Sequence, residues 1–300
     1  ISLLDESWLG NKIIIILEPR RVAARMVAVQ MAKLLGEEVG QSVGYQVKME
    51  SCYSKQTKLL VVTEAILVRK LQSDQALEDV SMVIFDEFHE RSIHTDLSLA
   101  LCLQVQELLR PDLKLLIMSA TLDSGELTNL LGDVPVITSK GKIYDVENIY
   151  LETNIKQPDS KSINTLLLNT TLKAIKEDEG DILVFLAGSR EIQKLQALLE
   201  EALKDKNIEI LPLYSTLSKE KQDKAISKSN KRKIILSTNI AQTSLTIEGV
   251  KVVIDSGLEK VSRYNYSNAM NHLELSFISN DSAIQRAGRA GRLSNGKCYK

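Results

Sequence analysis

An α/β fold of two tandem, doubly wound, mostly parallel sheets is what this chain predicts, and three observations carry the prediction. Short runs of consecutive apolar residues, such as IIIIL at 13–17 and MVIF at 82–85, match strands buried on both faces. Amphipathic stretches of helical length stand between them, the alternation that parallel crossovers require. A polar stretch, TNIKQPDSK at 153–161, then breaks the pattern before a second series of the same kind begins.

Taken in order, the pattern gives a strand over 13–17, a helix over 22–35, a strand over 58–62, a helix over 64–72 and a strand over 82–85. A helix over 97–109 follows, stopped by Pro111, and then a strand over 114–119. Past the break come a helix over 163–176, a strand over 182–186, a helix over 191–203, and strands over 208–213, 233–237 and 250–255. RYNYSNAMNHLELSFIS at 263–279 sets turn-forming Asn and Ser ahead of alternating apolar residues, a hairpin signal. The opening ISLLDESWLGNK reads as the tail of a helix leading into the first strand. The expected boundaries are therefore a first domain over 1–152, a linker over 153–162 and a second domain over 163–300. No internal repeat is detectable, so the kinship of the two halves rests on pattern.

Composition narrows the function classes. The 300 residues are enough for two cores, and 44% apolar with 26% charged residues is the usage of a globular chain. A formal charge of -1 gives no bulk attraction to nucleic acid, so any such contact must come from local arginines, lysines and backbone donors. Cys52, Cys102 and Cys298 have no paired spacing, which argues against a zinc site or disulfide scaffold and for a reducing, cytoplasmic setting. The apolar runs are of strand length, so no membrane span is expected.

Two segments carry chemistry. QRAGRAGR at 285–292 places three arginines at spacings of three with glycines beside the last two. A guanidinium fork matches phosphate oxygens and glycine admits close backbone approach, so the segment reads as a phosphate sensor, or else as a solvated basic helix. In SMVIFDEFHE at 81–90 a buried strand ends in Asp86 and Glu87, at the strand's carboxyl end, where open α/β sheets bind ligands. Asp86 there suits a Mg2+ ion and Glu87 the activation of a water, the other reading being an acidic surface turn.

Together these segments resemble the DEAH-box helicases of superfamily 2, and the likeness runs nearly end to end. EPRRVAARMVA at 18–28 resembles motif Ia, VTEAILVR at 62–69 motif Ib, DEFHERS at 86–92 motif II and MSATLD at 118–123 motif III. STNIAQTSLTIEG at 237–249 resembles motif V and QRAGRAGR motif VI, and the wording is nearest the bacterial HrpB-type branch. A DEAD-box helicase is a poorer match, since motif VI here begins with Gln.

The resemblance implies two RecA-like (P-loop NTPase) domains and an NTP-dependent RNA helicase or translocase that uses ATP, or other NTPs, with Mg2+. Asp86 and Glu87 would hold the metal, partly through water. Asp86, Glu87, Ser119, Ser244, Thr246, Glu248, Gln285, Arg289 and Arg292 would hold the nucleotide. Arg289 and Arg292 are implied as fingers on the γ-phosphoryl group, with Gln285 positioning the water that Glu87 activates. His89, with Ser119 and Thr121, would relay between the phosphate site and the strand-facing surface, unless it is simply a satisfied buried histidine. A nucleotide touching motifs II and VI together would require the cleft between the domains to close.

Single-stranded RNA would be gripped on the opposite face by Arg20, Arg21, Lys48, Thr63 and Thr238, with little sequence preference because such groups address the backbone. Arg20 and Arg21 have a second reading, packing against acidic neighbours at the helix start. The hairpin is a strand separator by resemblance, or an edge hairpin. Gln30 and Ile226 fall where relatives clamp adenine, Gln242 replaces the usual Glu of motif V, and Ala187 replaces Pro or Thr in FLxG. No GxxxxGK[ST] occurs, so these 300 residues alone are expected to bind ATP poorly, the loop and the domains after motif VI having been cut away. A non-catalytic RNA-binding or assembly module on the same shell, and a DNA translocase, are the rival functions.

Overall fold

A computed structural model describes residues 1–120, 131–132, 134–139, 141, 144–151, 160–204, 207–242 and 247–300, apart from the side chains of 160–162. The chain forms two compact units, Ile1–Ser139 and Lys140–Lys300.

The first unit runs β1 (Ile13–Leu17), α1 (Arg21–Leu34), β2 (Val43–Val47), β3 (Glu50–Cys52), β4 (Leu59–Val62), α2 (Glu64–Ser73), β5 (Val80–Phe85), α3 (Ile93–Leu108) and β6 (Lys114–Ile117). Its sheet has the order β3-β2-β4-β1-β5-β6, parallel except for the β2–β3 pair. Apolar runs rather than alternating ones form these strands because both faces are covered. Ile15 and Leu17 pack with Leu67, Leu99 and Val105 of α2 and α3, whereas Ile14 and Ile16 pack with Ala24, Ala28 and Ala32 of α1. Alanines on that helix let it lie close to the sheet. The expected opening helix is only a 3-10 turn, Ser2–Asp5.

The second unit runs β7 (Val146–Ile149), α4 (Ser160–Glu177), β8 (Asp181–Phe185), α5 (Ser189–Ala202), β9 (Ile208–Leu213), α6 (Lys219–Ile226), β10 (Arg232–Ser237), β11 (Val250–Asp255), β12 (Leu258–Asn265), β13 (Met270–Phe277), α7 (Asn280–Gly288) and β14 (Gly296–Tyr299). Its six-stranded sheet has the order β7-β14-β11-β8-β10-β9 and is wholly parallel. Ile182, Val184, Ile234, Leu236, Val252 and Ile254 pack on one face against α4 and α5. Residues 140–152, assigned above to the first domain, belong here. The physical reason is the ladder between β7 and β14, which runs from Val146 opposite Gly296 to Ile149 opposite Tyr299. The linker expected at 153–162 falls mainly outside the described residues, and α4 starts within it.

Each unit closes the amino end of its sheet with one arginine. Arg110 donates to the carbonyls of Ala76, Leu77 and Val80 at 3.2, 2.8 and 3.1 Å. Arg232 donates to Gly180, Ile175 and Asp178 at 2.7, 2.9 and 2.8 Å, satisfying carbonyls that the end of α4 leaves open. The expected hairpin is β12–β13, paired from Leu258 opposite Phe277 to Asn265 opposite Met270, and Tyr264 and Tyr266 are exposed near its tip.

Candidate nucleotide and nucleic-acid site

In the first unit the described candidate residues lie in or just after the loops that follow the carboxyl ends of strands. Asp86 leaves β5 with its N–H donating to the Leu17 carbonyl at 3.0 Å, and its Oδ1 accepts from the Glu87 N–H at 2.8 Å. The backbone then turns through the left-handed region at Glu87, φ 49, and again at Arg91, φ 43. Non-glycine residues adopt that conformation at a cost of order 1 kcal/mol, so the surrounding structure must enforce it. The enforcement is visible: Phe88 is buried edge-on against Phe85, and its N–H donates to the Met118 carbonyl at 3.1 Å.

His89 bridges two strand-end loops. Its Nε2 lies 3.5 Å from Glu87 Oε2, and its Nδ1 accepts from the Ala120 N–H at 3.4 Å. Motifs II and III are therefore joined through the imidazole. The buried hydroxyl of Ser119 makes no hydrogen bond among the described residues. Burial pushes the Asp86 carboxyl above its ordinary pKa, against the pull of the Glu87 N–H. A carboxylate so placed gains from a cation, which fits Mg2+ held through one or two carboxylates with water and phosphate oxygens completing its shell. Among the described residues no cluster of three or more His, Cys, Asp or Glu side chains could hold a metal unaided.

Sheet order lays the candidates along one edge. From β2 to β6 they are Lys48, Thr63, Arg20 with Arg21, Asp86 with Glu87, and Ser119. At ~4.8 Å per strand, Lys48 and Asp86 stand about 14 Å apart. Each motif follows a parallel strand, and parallel strands end together. Arg20 is also joined to motif II, its guanidinium lying 3.1 and 3.3 Å from the two carboxylate oxygens of Glu90. Arg21 and Lys48 are exposed, whereas Thr63 is buried at the start of α2.

In the second unit the octamer's three arginines have three different environments. Arg286 is fully buried: Nη1 donates to Asp255 Oδ1 at 2.8 Å and to the Leu258 carbonyl at 3.3 Å, and the guanidinium lies over the Phe185 ring. Arg289 is 9% exposed, its Nε donating to the Gln242 carbonyl at 2.7 Å. Arg292 is exposed and, with Arg289, lines a small recess with Leu183, Ile247 and Val250. Gln242 ties motif V to motif VI, its Nε2 donating to Ser282 Oγ at 3.0 Å and Gln285 Oε1 at 3.2 Å while its Oε1 accepts from Arg286 Nε at 3.1 Å. Thr238 is half-buried after β10 and Glu248 is exposed, whereas Ser244, Thr246 and Thr121 lie outside the described residues.

The glycines of the octamer also divide. A Cβ at Gly291 would meet the Tyr144 carbonyl oxygen and Val146 Cγ2, both at 2.7 Å, so its absence serves the unit's own packing; Gly288 has open space. Reading the sequence alone missed Arg286 and its partner Asp255. The available signal was the carboxylate ending the buried run VKVVID, which needs a counter-charge.

The DEAD/DEAH box helicase family matches residues 2–130, and the helicase conserved C-terminal domain matches residues 161–294. The chain belongs to the DEAD/DEAH box helicases. It is 44% identical over 298 residues to the ATP-dependent RNA helicase HrpB of Escherichia coli, covering 99% of this chain and 36% of that protein. It is 39% identical over 286 residues to the ATP-dependent RNA helicase HrpA of Borreliella burgdorferi, covering 94% of this chain and 34% of that one. The crystal structure of Escherichia coli DEAH/RHA helicase HrpB superposes with a TM-score of 0.86 at 44% identity, covering 96% of this chain and 36% of that one. The chain thus spans about a third of the length of these helicases.

Within the helicase family's pattern, the departures acquire structural meaning. Ile226 is buried in the second unit, while Gln30 is exposed on α1. Gln242, in place of the family's Glu, occupies both amide donors and its acceptor at once. Nothing in the structure explains Ala187. Among the described residues no helix is long and apolar enough to cross a membrane.

Proposed function

We propose that this chain is the motor of an NTP-dependent RNA helicase or translocase. The observation that carries the reading is the strand-end loop of motif II. There Asp86 and Glu87 are held by a backbone conformation that only the surrounding contacts can maintain, with His89 tying Glu87 to motif III.

Each residue has a role that chemistry assigns. Asp86 would hold Mg2+, which when bound neutralises phosphate charge. Glu87 would accept the proton of the attacking water, and Arg289 and Arg292 would present guanidinium donors to the γ-phosphoryl oxygens. The carboxylates are on the first unit and the guanidiniums on the second. Arg21, Lys48, Thr63 and Thr238 would address the backbone of a single strand, with Arg20 reporting its presence to motif II through Glu90. The hairpin, with Tyr264 and Tyr266 exposed, would part strands. The two bacterial relatives support RNA over DNA, both being named RNA helicases.

The test is NTP hydrolysis by the full-length protein with and without single-stranded RNA or DNA, for wild type and Glu87→Gln. RNA is expected to stimulate the wild type, and the variant to lose ~10² to 10⁴ in turnover while still binding nucleotide. If neither nucleic acid changes turnover, the motor reading fails; stimulation by DNA alone would reassign the track.

A further inference from the structure

Glu64 serves a helix other than its own. It is the first residue of α2, directly after Thr63, yet its carboxylate reaches the start of α3. There a single oxygen, Oε1, accepts from the Ser92 hydroxyl at 2.5 Å and from the Thr95 hydroxyl at 2.6 Å. Ser92 is the N-cap of α3 and its oxygen accepts from the Thr95 N–H at 3.1 Å, so the cap of α3 is completed by a residue of the neighbouring helix. Hydroxyls donating to a carboxylate make short, strong bonds, and a negative charge beside the amino ends of two helices is favoured by both dipoles. Thr63, by contrast, makes no side-chain capping bond on α2 among the described residues. Ser92 also stands where the strained turn of motif II ends, directly after Arg91 with its φ of 43. Thr95 is buried, which leaves water little room to substitute for the carboxylate.

We propose that Glu64 is a positioning residue that carries the occupancy of the single-strand grip at Thr63 to the motif II turn. This rests on the motor reading given above. A phosphate held at Thr63 fixes the first turn of α2, and the carboxylate on that turn fixes Ser92 and with it the exit of the turn that begins at Asp86 and Glu87. The route is separate from the one through Arg20 and Glu90, which enters the same turn from the start of α1. Loss of Glu64 therefore weakens the response to a bound strand and leaves part of it. Residue chemistry sets what can replace it: glutamine keeps an oxygen for the two hydroxyls but no charge, and alanine offers no acceptor.

The test measures ATP turnover by the full-length protein with and without a single-stranded RNA oligonucleotide, for wild type, Glu64→Ala, Glu64→Gln and Thr95→Val. In Glu64→Ala the stimulation of kcat by RNA should fall about 10-fold, with unstimulated turnover, KM for ATP and affinity for the oligonucleotide unchanged; Glu64→Gln should recover part of the loss. Hydrogen exchange supplies the structural readout: RNA should slow the amides of residues 88–96 in the wild type and not in Glu64→Ala. Undiminished stimulation in Glu64→Ala overturns the proposal, and so does an equal fall in stimulated and unstimulated turnover, the mark of a residue that only holds the fold. Should Glu64→Ala not fold, Thr95→Val keeps the shape of the side chain and removes one of the two donors; full stimulation there is equally fatal. A wild type that no nucleic acid stimulates removes the motor reading and this proposal together, whereas a stimulated wild type with an equally stimulated Glu64→Ala removes this proposal alone.

Discussion

Removing the Arg286 guanidinium isolates what the octamer does for the fold from what it does for chemistry. Arg286→Met keeps much of the apolar stem but deletes the 2.8 Å ion pair with Asp255, the bonds to Leu258 and Gln242, and the contact over Phe185. The Asp255 side chain is 2% exposed, so its carboxylate would be left in the interior with the Gly257 N–H at 2.9 Å. Breaking one side of such a pair costs about 3–5 kcal/mol, because a buried charge loses its counter-charge. Equilibrium unfolding in urea, followed on the transition of the second unit, should show that loss as a lower midpoint at constant slope. Arg286→Met with Asp255→Leu should recover most of it, no charge then remaining buried. A single variant that loses less than about 1 kcal/mol, or a double variant no better than the single, would refute the reasoning.

Three further outcomes are expected. Arg292→Ala, at an exposed arginine, should shift stability by under about 0.5 kcal/mol yet lower NTP turnover by roughly 10³; equal losses in both would contradict the division of labour. Gly291→Ala should cost about 1–3 kcal/mol, since its Cβ would fall 2.7 Å from the Tyr144 carbonyl oxygen, whereas Gly288→Ala should be neutral or slightly stabilising by thermal melting. Because burial raises the Asp86 pKa, the native state holds that proton more tightly than the unfolded chain does. Metal-free stability therefore falls as pH rises from the ordinary carboxyl value through the raised one. Asp86→Asn should remove this fall, raising metal-free stability at neutral pH by about 1 kcal/mol while abolishing Mg2+-dependent hydrolysis; a lowered melting temperature would count against it.

The strands were legible because their residues are apolar without alternation, and only a sheet covered on both faces makes that pattern stable. β1, β5 and β8 through β11 accordingly fall within a residue or two of their expected bounds. The helix α7 and the strands β2 and β7 were less legible. Their residues are mixed in polarity, and β7 earns its place only through β14, some 150 positions away in sequence. Lys48 was legible as a cation, but its seat in the turn between β2 and β3 was not.

By itself the sequence determined the chemistry on offer: two carboxylates closing a buried run, three guanidiniums in eight residues, and the order in which the motifs follow parallel strands. Those are properties of residue type and local periodicity. Which arginine is structural and which is presented, and that Glu90 engages Arg20, were settled only by the folded chain. Arginines three apart are chemically identical until burial and a partner from elsewhere in the chain distinguish them. Asp255, 31 positions before Arg286, supplies that distinction.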